Sequence, residues 1–214
     1  MEQFPGSRRL ERETLSPAQR VIRHYFSVCK PAEHVVRFGN EDKTNAEMHD
    51  LKQSLPEHIH GMSVLADIIL DADPTAYALD RARIHELIRY HDAHEAATGD
   101  EVYKTEDTRA KEQRVEDEIA RLDALRGKTD TAALFTEYRT QTSPEAIFVK
   151  GIDRLEAYLS MIYANRTEKF INRSSDAMLI AERTSGVSEL LADTSRLVVR
   201  FLQRAEGAQL GFQF

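Results

Sequence analysis

Residues 91 to 100 read HDAHEAATGD. Two histidines, His91 and His94, stand among three acidic residues, Asp92, Glu95 and Asp100, with no lysine or arginine between them. Such a stretch is either the solvated end of a helix or a place built to hold a cation. What precedes it bears on the choice. Ile84, Leu87 and Ile88 follow helical spacing, and His91 continues their apolar face at i+3 and i+4. Glu95 follows His91 by four residues and Asp92 by three, so all three can face one place if the chain stays helical. Thr98-Gly99-Asp100 then ends the segment, because glycine accepts the left-handed conformation that terminates helices.

Moving outward, helical periods dominate. Glycine is scarce and hairpin dipeptides are absent, which predicts an all-α fold, a single globular helical bundle over residues 1–214. A first helix is predicted over 16–29, opened by Ser16-Pro17. Residues 30–53 read as a loop with a short helix near 44–53. Ser54-Leu55-Pro56-Glu57 is a capping-box pattern that starts a helix over 55–71. The next helix, 74–91, is expected to bend or split near Pro74 and Asp80. A charged helix over 105–126 has few apolar positions (Val115, Ile119, Leu122) and reads as mostly solvated. Further helices are predicted over 129–140, 143–166 and 174–205, the last with a possible break at Gly186. The tail EGAQLGFQF either docks or frays.

Bulk composition narrows the function class. The chain is 41% hydrophobic and 30% charged, ordinary for a protein with a core. Its net charge of −7 argues against binding a nucleic-acid polymer. The single cysteine, Cys29, excludes an intramolecular disulfide and suits the cytoplasm. No apolar run approaches the roughly 18 residues of a membrane span.

The histidines can now be placed on faces. His58 precedes Met62 by four residues and belongs to the inward stripe of Met62, Leu65 and Ile69, whereas His60 lies on a polar flank. Asp153 borders the core stripe of Phe148, Ile152, Leu155 and Leu159. A lone histidine on an apolar face is ordinarily a hydrogen-bonded core residue. Here three separate helices each bring an ionisable group to an apolar face, and unpaired buried carboxylates are costly. Two imidazoles and two carboxylates converging would suit one divalent metal ion: Co, Mn, Zn, Fe or Ni. Four protein ligands on an octahedral ion leave positions for water and substrate.

At this point the residues resemble a known family. LPEHIHGMSVLA, HDAHEAATGDE and SPEAIFVKGIDRLEAYL, in that order, resemble the HD superfamily of metal-dependent phosphohydrolases, and most of all its bacterial 5′-deoxynucleotidase branch, over about residues 35–165. The resemblance implies His58, His91, Asp92 and Asp153 as metal ligands. It implies Glu95 as the acidic residue beside the reacting water and Asp100 as an acidic residue on the substrate side. Arg37, with the neighbouring aromatic Phe38, matches the branch's phosphate contact, although the branch often has tryptophan there and this chain has none. Lys104, Lys111 and Arg114 are further phosphate candidates or else solvated helix charges. Two-metal members use histidines after the His-Asp pair. None follows His94, so the resemblance implies one ion, with His94 near the site or solvated.

The implied substrate is a small-molecule nucleotide. Phosphate release from a deoxynucleoside monophosphate stands first, triphosphate release from a deoxynucleoside triphosphate second, and a non-catalytic nucleotide sensor is the rival of another class. Relatives are commonly homo-oligomers, and no membrane is implied.

Overall fold

The order of helices follows from where the chain can cap and where it can bury. The computed structural model describes residues 16–24, 55–98, 105–125, 127–163 and 174–205. These form α1 (Pro17–His24), α2 (Leu55–Ala72), a 3-10 turn (Pro74–Ala76), α3 (Arg81–Tyr90), α4 (Glu95–Thr98), α5 (Glu106–Leu125), α6 (Thr131–Thr140), α7 (Pro144–Tyr163), α8 (Ser174–Thr184) and α9 (Glu189–Ala205). No strand occurs among the described residues, and the fold is all-α. The expected short helix near 44–53, the capping serine Ser54, Gly99 and the tail lie outside them.

Local chemistry accounts for the boundaries. The stretch 74–91 does split. Asp73 caps the 3-10 turn through the Thr75 amide, and Asp80 caps α3 through the amides of Ala82 and Arg83. Ser143 accepts from the Ala146 amide at 3.0 Å and so starts α7 at Pro144. The last long segment also breaks, at Ser185–Ser188, and Ser188 accepts from the Leu191 amide to begin α9.

α7 is the central helix, packed against α2, α3, α6, α8 and α9. Its fully buried residues Phe148, Val149, Ile152 and Leu159 meet Met62, Leu65 and Ile69 of α2 and Ile84, Leu87 and Ile88 of α3 in one core. Gly151 permits the close approach of α7 to the α8–α9 corner. A Cβ there would stand 2.5 Å from Thr184 Cγ2 and 2.9 Å from Leu191 Cδ2.

α5 is mostly exposed, as expected, but its buried positions are carboxylates rather than the apolar residues. Leu122 is exposed, while Glu116 and Asp123 are buried. Asp123 accepts from Tyr90 Oη at 2.6 Å and Thr131 Oγ1 at 2.9 Å, so this helix attaches to its neighbours by hydrogen bonds from a polar inward face. Apolar spacing could not reveal a contact made by carboxylates. No helix among the described residues is long and apolar enough to cross a membrane.

Candidate metal centre

Three helices deliver side chains to one end of the core. His58 stands in the first turns of α2, His91 is the C-cap of α3 with Asp92 next to it, and Asp153 lies midway along α7. The chain does not stay helical after Tyr90. Residues 91–94 form a turn, with the Ala93 amide on Tyr90 O and the Glu95 amide on Asp92 O. Adjacent residues on an α-helix diverge by about 100°. The turn lets His91 and Asp92 face the same centre.

The donor atoms converge. His58 Nε2 is 3.5 Å from Asp153 Oδ1 and 4.0 Å from Asp92 Oδ2, and His91 Nε2 is 2.8 Å from Asp92 Oδ2. One ligand atom each from His58, His91 and Asp153 lies within 4.8 Å of the others. Metal bonds of about 2.0–2.2 Å hold neighbouring donors roughly 3–4 Å apart, so the spacing admits one ion.

The outer nitrogens settle which ring atoms face inward. His91 Nδ1 is 2.8 Å from Ile88 O, which can only accept, so that nitrogen carries the proton. His58 Nδ1 is 2.7 Å from Glu156 Oε2, another acceptor. Both Nε2 atoms are therefore left for the centre, as in metal-binding histidines held by an outer partner. His91 Nε2 is buried and, among the described residues, makes no hydrogen bond, although Asp92 Oδ2 stands 2.8 Å away. An imidazole–carboxylate set with such an orphaned inward nitrogen fits a divalent ion.

Asp153 is backed in the same way. Tyr138 Oη donates to its Oδ2 at 2.9 Å and Lys150 Nζ at 2.7 Å, leaving Oδ1 toward His58. Electrostatics follow the geometry. Burial works to lower the pKa of His58, but the Asp153 and Glu156 carboxylates outweigh it and push it up to about 10. Burial likewise opposes, and Asp92 with Asp153 overcomes, so His91 is also raised. Burial works to raise Asp153, yet Lys150 and the two imidazoles hold it well below the usual carboxylate range. The centre attracts positive charge, whether as protons or as a metal ion.

The geometry agrees with a family match. The HD domain model matches residues 43–188, more than half of the chain. The chain belongs to the HD domain family. A crystal structure of a predicted metal-dependent phosphohydrolase from Magnetospirillum magnetotacticum MS-1 is similar, with a TM-score of 0.59 and 17% identity, covering 87% of this chain and 93% of that one. At that identity the likeness speaks for the fold. No curated protein matches the chain.

Within this HD domain, several site residues had not been anticipated. Glu156 is fully buried and accepts from Ser160 Oγ at 2.8 Å as well as meeting His58. A signal existed: it interrupts the apolar line of Ile152 and Leu159 at helical spacing. Lys150 was legible as an i,i+3 partner of Asp153. Tyr138 comes from α6, and no local pattern connects it to Asp153. His94 is buried, so the solvated alternative fails. His60, Lys111 and Arg114 are exposed. Arg37, Phe38, Asp100 and Lys104 lie outside the described residues, and Glu95 opens α4.

Proposed function

We propose that this protein is a metal-dependent phosphohydrolase acting on nucleotides, releasing phosphate from deoxynucleoside monophosphates. The observation that carries the reading is the convergence of His58, His91, Asp92 and Asp153 with the Nδ1 atom of each histidine tied to an outer acceptor. Those four residues would hold one divalent ion of the Co, Mn, Zn, Fe or Ni group. Such an ion, when bound, acidifies water and polarises a phosphoryl oxygen.

The remaining work falls to the chain. Glu156 keeps the Nε2 of His58 turned inward, and Lys150 with Tyr138 keeps one oxygen of Asp153 away from the centre. Glu95 takes a proton from the attacking water and passes it to the leaving 5′ oxygen. The phosphorus–oxygen ester bond breaks, giving a nucleoside and inorganic phosphate. By the family resemblance, Arg37 would hold phosphate oxygens in a two-pronged grip, with Phe38, Lys104 and Asp100 as further residues assigned to the substrate. The phosphohydrolase class draws support from the similar Magnetospirillum structure, that of a predicted metal-dependent phosphohydrolase. The nucleotide substrate draws support from the resemblance of HDAHEAATGDE and SPEAIFVKGIDRLEAYL to the 5′-deoxynucleotidase branch.

The test uses chelator-stripped full-length protein, restored with Co²⁺ or Mn²⁺ and offered deoxynucleoside mono- and triphosphates. Metal-dependent phosphate release from monophosphates is expected. Triphosphate release would instead assign a triphosphohydrolase, and bound metal with no turnover would assign a sensor. Glu95→Gln should keep the ion of this centre and lose about 10²–10⁴-fold in rate. Normal turnover by that variant would remove Glu95 from the mechanism.

A further inference from the structure

Beside the metal centre stands a cation without an acceptor among the described residues. Where side chains are described, the half-buried arginines are Arg83, Arg154 and Arg196. Arg83 Nε donates to Glu137 Oε2 at 3.0 Å, and its Nη1 reaches Glu86 and Asp130, each at 3.2 Å. Arg196 Nη1 donates to Asp193 Oδ1 at 2.8 Å. Arg154 differs. Its Nε is sealed from water and, among the described residues, has no hydrogen-bond partner. Its terminal nitrogens are not sealed in this way, so the guanidinium is dry on its inner side and reaches water at its tip. A guanidinium cannot shed its proton to relieve this. A buried donor left unmet is costly and calls for an acceptor.

The position of Arg154 says where that acceptor would come from. It follows Asp153 directly in α7, with its Cα about 3.8 Å from that of the candidate ligand. It also lies four residues after Lys150, one turn further along the same flank. Lys150 Nζ donates to Tyr138 Oη at 2.9 Å and to Asp153 Oδ2 at 2.7 Å. The charge of Arg154 is felt at the same Tyr138 phenol, against the burial and the Asp153 and Asp92 carboxylates that push that group up. This flank therefore carries two cations, and only Lys150 is engaged by the centre. Asp153 has no oxygen left for Arg154: Oδ2 is taken by Tyr138 and Lys150, and Oδ1 faces His58. The missing acceptor is an anion brought to the centre from outside. Two oxygens of a phosphoryl group match the fork formed by Nε and a terminal nitrogen.

We propose that Arg154 is a substrate-binding residue, holding two oxygens of the phosphoryl group presented to the metal centre. The assignment rests on the phosphohydrolase reading and deepens it. It places a phosphate contact on α7, where the candidate ligand Asp153 also stands, whereas Arg37 is assigned by resemblance.

Inorganic phosphate, a product of the proposed reaction, is the probe. It is titrated by calorimetry into full-length, Mn²⁺-loaded wild type, Arg154→Met and Arg154→Lys, with bound Mn²⁺ and helicity measured on each. Wild type should bind phosphate. Arg154→Met should bind it about 10–100-fold more weakly, the loss expected for hydrogen bonds to a charged group. Arg154→Lys should fall between the two, because an ammonium keeps the charge without the fork. All three should hold the same amount of Mn²⁺. Equal phosphate affinity in wild type and Arg154→Met overturns the proposal. So does a wild type that binds no phosphate, or a loss of Mn²⁺ in parallel with the loss of phosphate. Should Arg154→Met fail to fold, Arg154→Lys decides, and wild-type affinity in that variant overturns the forked contact. If phosphate binding depends on Arg154 while no nucleotide is hydrolysed, the anion site stands and the proposed function fails.

Discussion

Asp73 and Asp153 are both aspartates withdrawn into a polar junction, and they finish their hydrogen bonding differently. At the corner where the α2–α3 connection meets α9, Asp73 Oδ1 accepts from the Thr75 amide at 2.8 Å and Thr75 Oγ1 at 2.7 Å. Its Oδ2 accepts from Ser188 Oγ at 2.5 Å and the Leu190 amide at 3.1 Å. Both oxygens are saturated by the protein. Asp153 Oδ2 is saturated by Tyr138 and Lys150, but Oδ1 stands 3.5 Å from an imidazole nitrogen that also faces Asp92. A carboxylate with both oxygens satisfied fastens the fold. One with an oxygen turned toward other donors retains capacity for a ligand.

Exchanging the charge at each position is the strongest way to break this distinction. Asp153→Asn should weaken Mn²⁺ binding at the metal centre by more than about 100-fold, beyond the 10–100-fold cost of losing a residue that only orients a ligand. Asp73→Asn should leave ion binding unchanged. Metal titration of the two variants side by side checks both halves. Equal loss in both would mean that Asp153 acts through stability.

Much of this arrangement was legible in the sequence, for identifiable reasons. His58, His91 and Asp153 each follow a helical apolar stripe, so periodicity alone assigns them a face. Splits near Pro74 and Gly186 were legible because proline and glycine act on local backbone. The turn at 91–94 was not, since HDAHEAA has helical spacing and no breaker before Gly99. The buried face of α5 was also hidden, because Glu116 and Asp123 are drawn inward by Arg139, Tyr90 and Thr131, partners distant in sequence. Periodicity reports apolar burial and is silent on burial secured by hydrogen bonds.

Glu156 lies between the two cases and sharpens them. Its oxygens are both engaged, as in Asp73, yet one of the partners is a candidate ligand, His58 Nδ1. Glu156→Gln removes charge while keeping an acceptor, so Mn²⁺ affinity should fall about 10-fold, the lower end for an orienting partner. Gly61→Ala tests the same contact sterically. A Cβ there would stand 2.8 Å from Glu156 Oε1 and push the carboxylate away from its place. Both variants should shift the titration in the same direction. An unchanged affinity in both would show that His58 needs no outer partner.

The smallest effect belongs to Asp73, and its sign is fixed by its surroundings. Burial acts to raise its pKa, but Ser188, Thr75 and the Thr75 and Leu190 amides outweigh it and hold the carboxyl below its ordinary value of 3.8. A depressed folded pKa contributes stability above the unfolded value, and that contribution is lost as pH falls through the folded value. Asp73→Asn should therefore cost about 1–3 kcal/mol near neutral pH, because an amide cannot accept all four hydrogen bonds. The difference from wild type should shrink on acidification, starting below about pH 4, where the unfolded carboxylate takes up its proton, and levelling off only at the lower pH where the native one does. Urea unfolding of both proteins across that range measures it. A constant difference at all pH values would mean that shape rather than charge holds this corner, and the contrast with Asp153 would then rest on geometry alone.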